Sequence, residues 1–518
     1  MTAPADNTLD SHAPPDRIGL RYIVTLAAQG LRLLSSLVVA MIVPRTLGPA
    51  MYGNYTFLLS TAGTLRAFVD TSTQQAFFTF SSQQRASGAL TRLYACALLG
   101  QFALVMLIVA FAIATRHYDW LWHGQQPQAI VWVTVLDWAV YFALSLQQLG
   151  DSKGLTVIPQ IIGAVVACVA LLALLVLWRA GALDFYTFVW LNLSAACANA
   201  VSLGAWLLRR HRALLWDGVV VAGSYVRRWW VFARPLILLQ VYLPLVAYLG
   251  IYLVQRWDGP VEQGFYALAL QWSSLALVFT NAGVSIFWRE MAYQSASADP
   301  ALAARTYSSL SRLLFFIAIV LACWISASSA TLVDVIAGPR FASAVMVVAI
   351  MAFYPAAQTL GQLSTAALKA TERTAQYARW SVALSIPDLL LTYFLLAPAS
   401  AKVPGLGLGA IGMAIKTALY GLISVQVFDW INCRSMRIKF APVLLQRVAA
   451  MGLVGAAAWS MLKLGGDWLR SDGWSGLGSL LLSSTIYGLV VLGIFWSLPA
   501  LAGVSRQQIR GVLPGGSR

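Results

Sequence analysis

About fourteen apolar stretches, each near 20 residues long, run through this chain, and a stretch of that length can cross a bilayer as one helix. So many apolar stretches cannot all be buried in a water-soluble fold. The sequence therefore predicts an all-α polytopic membrane protein. The predicted helices lie near residues 23–43, 54–70, 89–114, 127–147, 155–178, 185–208, 232–254, 264–287, 309–329, 342–366, 376–398, 405–428, 442–463 and 476–499. The tenth could also begin earlier, across Gly338-Pro339.

Composition supports a chain whose main solvent is lipid. Hydrophobic residues make up 59% of the 518 residues, and charged residues make up 10%. A soluble domain carries about 25% charged residues, which it needs to cover its surface. The five cysteines are scattered and form no Cys-x-x-Cys pair. We expect them to be small buried residues, not disulfides or metal ligands.

The distribution of charge predicts the orientation of the chain. With the amino terminus placed inside, the inner connections hold roughly three times as many lysines and arginines as the outer ones. Cytoplasmic loops of membrane proteins carry this excess, so we expect both termini to be cytoplasmic. Most of the net charge of +16 then follows from topology and gives no reason to expect a nucleic acid partner.

Loops and charges together predict the domain organisation. The longest connection that is not apolar reads RRHRALLWDGVVVAGSYVRRWWV, near the middle of the chain. The predicted segments are a cytoplasmic tail (1–22), an N-terminal lobe of helices 1–6 (23–208), a basic cytoplasmic linker (209–231), a C-terminal lobe of helices 7–12 (232–430), helices 13 and 14 (431–500) and a cytoplasmic tail (501–518).

Two short segments of the chain share one pattern. RTLGPAMYGNY at 45–55 and RWDGPVEQGFY at 256–266 both read Arg-x-x-Gly-Pro-x-x-x-Gly-x-Tyr, with a constant offset of 211 residues. Two unrelated tight turns would explain the match, and so would a duplicated unit. Six helices separate the copies, so a duplication predicts a parallel repeat about an axis along the membrane normal. The two pseudo-symmetric six-helix lobes would then enclose a central cavity, with two further helices after them.

The sequence shows no pattern typical of an enzyme active site. The four histidines, His12, His117, His123 and His211, are not spaced as metal ligands. The segment Gly407-x-Gly409-x-x-Gly412 fits a dinucleotide-binding pattern, but it follows no strand and opens an apolar helix. Its small residues are better explained by close helix packing. We therefore expect no catalytic residue, no metal and no cofactor.

Five cationic side chains within or beside the apolar stretches are the candidate substrate-binding residues. They are Arg32, Arg66, Arg234, Arg289 and Lys416. A charge facing lipid at mid-helix costs about 2.5–3.5 kcal/mol on insertion scales, so each should face a cavity or a partner. Snorkelling or a local ion pair is the alternative, above all for Arg234 and Arg289 near helix ends. Cations in a water-filled cavity suit an anion, and the planar fork of arginine suits phosphate or pyrophosphate.

Acidic residues at membrane depth are the candidates for ion coupling. Asp137 and Asp388 lie deep and could bind a coupling H⁺ or Na⁺ or pair with an arginine of another helix. Asp70 follows Arg66 by four residues, which is also the spacing of a pair on one helix face. Asp429 lies near an inner helix end, where we expect it to be solvated.

Several segments resemble the polysaccharide transporter family, the Wzx-type oligosaccharide flippases of the multidrug/oligosaccharidyl-lipid/polysaccharide exporter superfamily. PRTLGPAMYGNY followed by AFVDTSTQQAF is similar to the opening of that family, and QGFYALALQWSSLALVFTNAG is similar to the start of its second half. VDVIAGPRFASAVMVVAIMAF and PGLGLGAIGMAIKTALYGL resemble its tenth and twelfth helices. The segment VDTSTQQ departs from the family, which often has Leu-Gly after the aspartate.

The resemblance implies a flippase of the bacterial inner membrane. Its substrate would be an oligosaccharide repeat unit linked to undecaprenyl pyrophosphate, moved from the cytoplasmic to the periplasmic leaflet by alternating access. Membrane lipids and a polysaccharide polymerase would be its partners. Related lipid II flippases place arginines on the first, second and eighth helices, to which Arg32, Arg66 and Arg289 correspond approximately.

Two other functions remain open at this stage. A cation-coupled multidrug exporter of the same superfamily would share the fold, although the excess of buried arginine and lysine over acids disfavours cationic substrates. A membrane glycan polymerase or ligase would need a sizeable outer loop or an acidic centre, and the longest outer connection is only about a dozen residues.

Overall fold

The computed structural model describes residues 15–83, 88–153, 155–216, 222–277, 280, 287, 290–291, 294, 300–371, 373–464 and 474–504. Within these ranges the chain consists of helices and short connections, without a β-strand. The α-helices are α1 (Pro15–Asp70), α2 (Thr73–Gln83), α3 (Gly88–Ala114), α4 (Pro127–Ser152), α5 (Val157–Arg179), α6 (Phe185–Arg210), α7 (Ala213–Trp216), α8 (Ala222–Trp257), α9 (Gly259–Ala276), α10 (Pro300–Ala327), α11 (Ser329–Leu332), α12 (Val345–Met351), α13 (Tyr354–Ala370), α14 (Thr374–Leu396), α15 (Gly409–Ala414), α16 (Gly421–Ser435), α17 (Phe440–Leu464) and α18 (Trp474–Ser497). Residues Val333–Ala337 and Ile415–Tyr420 are π-helical, and three short 3₁₀ turns complete the fold.

Eleven helical segments in the described part of the chain are long and apolar enough to cross a membrane. Each corresponds to a predicted helix, and the first, Ala27–Asp70, contains the first two. The seventh predicted helix lies within α8, and the eighth begins in α9 and continues into residues outside the described ranges. The all-α polytopic membrane architecture predicted from the sequence is confirmed.

The segment α1 consists of two helices that meet at a kink at Gly48. Gly48 has φ 75° and ψ 169°, a conformation that glycine adopts without steric strain, and Pro49 follows it. The kink explains why the sequence reads as two helices, near 23–43 and 54–70, separated by a turn. Gly338-Pro339 forms a similar kink just before the tenth predicted helix, with φ 81° at Gly338.

The chain divides into two compact units. Unit 1 comprises Met1–Val39 and Thr61–Pro244, and unit 2 comprises Ala40–Ser60 and Leu245–Arg518. In unit 1, α4 packs along α6 and also contacts α2 and α3. The buried side chains of unit 1 include Trp138 and Tyr141 of α4. The predicted lobe boundaries remain a prediction, although residues 222–231 of the predicted linker form the first turns of α8.

Unit 2 has an extended apolar core in which α10 packs against α13 and α17. Phe315 and Ile319 of α10 pack there with Leu360 of α13 and Val454 of α17. The helix α18 contributes Tyr487, whose hydroxyl donates to the carbonyl of Val320 at 2.9 Å.

The two copies of the repeated motif pack directly on each other within unit 2. A Cβ atom built on Gly53 would lie 2.7 Å from the amide nitrogen of Gly264, and closer still to the carbonyl oxygen of Pro260. The reciprocal contact is equally tight, because a Cβ on Gly264 would lie 2.8 Å from the carbonyl carbon of Pro49. Only glycine allows two helix backbones to approach this closely. The motif therefore encodes a helix crossing to which both copies contribute the same residues.

Candidate functional site

Six of the eight candidate site residues have described side chains with assigned partners. Arg32, Arg66, Asp70 and Asp137 lie in unit 1, and Asp388 and Lys416 lie in unit 2. Arg234 is exposed on α8, with no ion pair recorded in the described part of the chain. Arg289 lies outside the described residues, so its predicted role stays a prediction.

Arg32 is held against α5 by an amide side chain. Its Nη1 donates a hydrogen bond of 3.1 Å to Oε1 of Gln160, a buried residue in the first turn of α5. One turn further along, a Cβ built on Gly163 would lie 2.7 Å from Cζ of Arg32 and still closer to Nη2. The guanidinium therefore rests on the bare backbone of Gly163. Gln160 and Gly163 fix its position without altering its charge.

Arg32 keeps an uncompensated positive charge among the described residues. The structure records no carboxylate within ion-pair distance of it there, and the amide of Gln160 is neutral. A guanidinium has five N–H donors, of which the Gln160 bond uses one. Arg32 thus combines a fixed position, a full charge and spare donors, which are the properties needed to bind an anionic group.

Arg66 is paired with Asp137 of α4. Its Nε lies 2.8 Å from Oδ2 of Asp137, and Nη2 lies 3.5 Å from Oδ1. The guanidinium also lies over the ring of Tyr141, 4.4 Å from its centroid. The helix-face pair between Arg66 and Asp70 suggested by their spacing is therefore wrong. The partner of Arg66 comes from another helix because α4 presents Asp137 and Tyr141 one turn apart.

Asp70 is the last residue of α1, and its side chain also caps α2, which begins at Thr73. Its Oδ1 accepts a hydrogen bond of 2.5 Å from the Thr73 hydroxyl and one of 3.2 Å from the amide of Gln74, so it caps the amino end of α2. The same oxygen accepts a bond of 2.8 Å from Tyr141. Thr71 and Ser72 adopt positive φ angles of 41° and 67° between the two helices. The sequence VDTSTQQ thus forms a tight corner, fixed by the carboxylate of Asp70.

Lys416 and Asp388 form the corresponding pair in unit 2. Nζ of Lys416 lies 3.0 Å from Oδ2 of Asp388, and the two side chains are 12% and 16% exposed. Lys416 belongs to the π-helical turn Ile415–Tyr420, and such turns occur frequently at functional sites. The next residue, Thr417, shares a hydrogen bond of 3.1 Å with Tyr266 of the second motif copy. Asp388 therefore neutralises Lys416, a lysine and not the arginine that the sequence suggested as a partner for this acid.

Asp429 is fully buried, and the expectation that it is solvated is wrong. Arg447 binds both of its carboxylate oxygens, with Nη1 at 2.7 Å from Oδ2 and Nη2 at 3.3 Å from Oδ1. Tyr307 donates a further bond of 2.5 Å to Oδ1. The pair joins α16 to α17 and α10. Its sequence signal was Arg447 itself, which lies within the apolar stretch of the thirteenth predicted helix, near 442–463.

Two positioning residues, Gln160 and Gly163, were missed by sequence reasoning. They lie far along the chain from Arg32, and neither a polar residue in the first turn of a helix nor a glycine in an apolar helix is unusual. No sequence signal connects them to Arg32. In unit 1, Arg32 can hold an anion, and an incoming anion could reach Arg66 only by competing with Asp137. In unit 2, an anion could reach Lys416 only by competing with Asp388.

Known structures of membrane transporters share this fold. A lipid II flippase, MurJ, in an inward closed conformation matches with a TM-score of 0.64 at 11% identity, over 93% of this chain and 99% of that one. An inward-facing multidrug resistance transporter of the MATE family, in the MOP superfamily, matches with a TM-score of 0.55 at 12% identity, over 80% and 98% of the two chains. A point mutant of the Vibrio cholerae MATE transporter VcmN gives 0.52 at 12% identity, over 81% and 98%. At such identities the likeness establishes the fold alone.

Sequence comparison supplies the family. No curated protein sequence matches the chain. The sequence profile of the family described as polysaccharide biosynthesis protein matches residues 21–288, which is more than half of the chain. The segments that resemble polysaccharide transporters at 44–55 and 263–283 fall within this range. The protein, a multi-pass membrane protein with a transporter fold, therefore belongs to the polysaccharide biosynthesis protein family.

Proposed function

We propose that this protein is a flippase for a lipid-linked oligosaccharide. The substrate is a repeat unit carried on undecaprenyl pyrophosphate, moved from the cytoplasmic to the periplasmic leaflet by alternating access for surface polysaccharide or exopolysaccharide synthesis. The family profile, the shared fold with a lipid II flippase and the charge at Arg32 support this proposal. The protein then acts as a transporter, needs no cofactor and delivers its product to a polysaccharide polymerase.

The position and charge of Arg32 carry the proposal. A positive charge at mid-helix costs about 2.5–3.5 kcal/mol when it faces lipid, so a fold keeps such a charge only for a compensating partner. Gln160 supplies one neutral hydrogen bond and no charge. A pyrophosphate supplies the missing negative charge and accepts the planar fork of N–H donors in bidentate fashion. Arg32 accordingly binds the pyrophosphate in our proposal.

Arg66 and Lys416 act in a second step, because each is occupied by an aspartate. Release of Arg66 requires that Asp137 lose its negative charge or that the substrate displace it, and the same holds for Lys416 and Asp388. Asp137 and Asp388 are therefore the candidate coupling sites for H⁺ or Na⁺. Asp70 is a weaker candidate, since its acceptor positions already hold the corner between α1 and α2. Arg234 and Arg289 remain candidates for contact with the headgroup.

The proposed setting is the bacterial inner membrane with both termini cytoplasmic. The excess of lysine and arginine in the predicted inner connections supports this orientation. The lobes predicted at 23–208 and 232–430 would be the parts whose relative movement opens the substrate pathway to each side.

A cation-coupled multidrug exporter is the second candidate. The fold shared with MATE transporters and the two membrane-embedded aspartates favour it. In that case the aspartates would bind the cationic substrate or its coupling ion, and Arg32 would have no anion to bind. Uptake of an organic cation into proteoliposomes, at a rate that Arg32→Ala leaves unchanged, would establish the exporter.

Transport measured with matched variants of Arg32 and Gln160 tests the flippase proposal. Arg32→Ala should abolish translocation of a pyrophosphate-linked oligosaccharide in proteoliposomes and fail to complement a flippase-null strain, at unchanged membrane abundance. Gln160→Glu should do the same, because it places a carboxylate beside Arg32, whereas Gln160→Leu removes the hydrogen bond without neutralising the charge and should retain partial activity. Full activity of both Arg32→Ala and Gln160→Glu would overturn the assignment of Arg32 to the pyrophosphate.

A further inference from the structure

A pocket of about 410 Å³ opens in unit 2 where α14 begins and α16 ends. Arg373, Gln376 and Trp380 line it from the start of α14, and Trp430 and Arg434 line it from the end of α16. None of its seven lining residues is acidic. Its volume falls within the range of about 300–1,000 Å³ that small-molecule sites occupy. The pocket is therefore cationic, lined by tryptophan, and separate from Arg32, Arg66 and Lys416.

Its position corresponds to the headgroup level of a bilayer. The candidate membrane spans Ala375–Leu396 and Gly409–Ser435 begin and end at the pocket. Tryptophan concentrates at this level, where its ring faces the acyl chains and its N–H faces the headgroups. The exposed Arg434 lies over Trp430, with Cζ 5.6 Å from the ring centroid, so its charge is held at the pocket.

An apolar surface continues from the pocket along both helices. Ile423 lies two turns before Trp430 on the same face of α16, and it is 68% exposed. Leu390, four turns after Gln376 on α14, is also 68% exposed. A cationic pocket above two apolar helix faces matches a molecule with an anionic head and hydrocarbon chains. A soluble phosphate would make no use of the apolar faces.

We propose that this pocket binds the headgroup of an anionic phospholipid from the surrounding leaflet, with the acyl chains along α14 and α16. Arg373 and Arg434 contact the phosphate, and Trp380 and Trp430 contact the glycerol region. Basic pockets between membrane helices commonly hold such headgroups. The orientation that we predict from the charge distribution puts this end of α14 and α16 on the cytoplasmic side, so in this proposal the lipid comes from the inner leaflet.

Lipid binding to the full-length protein, measured by native mass spectrometry with added phosphatidylglycerol, tests the proposal. The double variant Arg373→Gln/Arg434→Gln should bind the tightest-held phosphatidylglycerol about thirtyfold more weakly than the unaltered protein. The control Arg379→Gln/Lys439→Gln removes two exposed cations near the same helix ends that do not line the pocket, and it should change binding less than twofold.

Three outcomes would overturn the proposal. Equal phosphatidylglycerol binding by the two double variants removes the pocket as the site. Displacement of the lipid by inorganic phosphate at similar concentration indicates a soluble anion. Displacement by a prenyl pyrophosphate at far lower concentration indicates that the pocket belongs to the transported substrate. If the double arginine variant does not fold, Trp430→Leu gives an independent check. It keeps an apolar side chain in place and should weaken lipid binding several-fold.

Discussion

The guanidinium of Arg32 lies on the backbone of Gly163, with Cζ only 2.7 Å from the position a Cβ atom would occupy. The hydrogen bond to Gln160 holds the same guanidinium from one turn earlier on α5. Gln160 and Gly163, one turn apart on the same helix face, thus fix the position of the arginine side chain by a hydrogen bond and a packing contact. Any substituent at Gly163 must move Arg32, because the arginine is the flexible partner in this contact.

We predict that Gly163→Ala reduces transport without destabilising the protein. Alanine is more favourable than glycine inside a helix by about 0.5–1 kcal/mol, so folding should be unchanged or slightly improved. The displaced Arg32 should lower the transport rate at least several-fold. Translocation in proteoliposomes and thermal unfolding in detergent measure the two effects separately.

Gly100→Ala is the matched control for this prediction. Gly100 lies within the apolar helix α3, and a Cβ built on it meets no atom within 4 Å. This variant should keep full transport. In the Arg32→Ala background, Gly163→Ala should raise the unfolding temperature by more than it does in the unaltered protein, because the side chain that it displaces is gone. An equal change in unfolding temperature in both backgrounds would show that Gly163 acts independently of Arg32.

The ion pair between Arg66 and Asp137 predicts that each single variant loses stability. Asp137→Asn leaves a partly buried guanidinium without its counter-charge, and Arg66→Gln leaves a buried carboxylate without its cation. Each should destabilise the protein by about 1–3 kcal/mol, less than for a fully buried pair because the Arg66 side chain is 26% exposed. Thermal unfolding of the purified variants measures the change.

The double variant Arg66→Gln/Asp137→Asn separates stability from function. It removes both charges together, so it should recover most of the stability lost in the single variants. If Arg66 takes part in transport, the double variant stays inactive although it is stable. Recovery of transport together with stability would assign the pair a structural role.

Much of the helical architecture could be predicted, because length and apolar composition decide whether a segment spans a bilayer. The deep position of Lys416 and Asp388 also followed from the sequence, since both lie in apolar stretches. Their pairing did not, because it depends on how α14 lies beside the turn at 415–420. The contacts of Arg32 with Gln160 and Gly163 could not be predicted for the same reason, because neither residue has a sequence feature that links it to Arg32.

The repeated motif shows how far a sequence pattern can be interpreted. Its matching glycines suggested a duplication, with two unrelated tight turns as the alternative. The structure gives the glycines at positions 53 and 264 a packing role in which each contacts the other copy of the motif. Position near a helix end misled the prediction for Asp429, because its partners Arg447 and Tyr307 lie on other helices.

We predict that the folding stability of the protein depends on pH through the carboxyl group of Asp258. It lies in the turn between α8 and α9, outside the membrane-spanning segments, and one carboxylate oxygen is buried without a hydrogen-bond partner among the described residues. Burial, and secondarily the negative charge of Glu262, raise the pKa of Asp258 from its ordinary 3.8 to about 6. The folded protein therefore holds this proton more tightly than the unfolded chain, and its stability falls as the pH rises through 6. Asp258→Asn should remove this fall and unfold at a higher temperature than the unaltered protein at pH 7.5.

Asp184 makes the stability depend on pH in the opposite direction, and Asp184→Asn should remove that dependence. Asp184 caps α6, also in a turn between membrane spans, and accepts a hydrogen bond of 2.7 Å from the amide of Thr187. Hydrogen bonding from Thr187 holds the pKa of Asp184 below its ordinary value, so the ionised form stabilises the fold above that value and the contribution is lost as the pH falls. Melting curves at pH 3, 5 and 7.5 distinguish the two sites, because the Asp184 contribution is lost only below its ordinary pKa of 3.8 and the Asp258 contribution is lost as the pH rises from 3.8 to about 6. A fall in stability between pH 5 and 7.5 that persists in Asp258→Asn would assign that fall to another group.

The crossing of the two motif copies predicts a large effect of one methyl group. Gly264→Ala brings Cβ to 2.8 Å from the carbonyl carbon of Pro49, which belongs to a helix backbone and cannot move aside as a side chain can. The helices must separate, and we expect a loss of about 1–3 kcal/mol in unfolding free energy. Gly452→Ala is the control in α17, where a Cβ meets no atom within 4 Å, and it should be neutral or slightly stabilising.

Because Gly53 and Gly264 share one crossing, the double variant Gly53→Ala/Gly264→Ala should lose less unfolding free energy than the sum of the losses in the single variants. Strict additivity in the unfolding measurements would mean that the two glycines stabilise separate contacts.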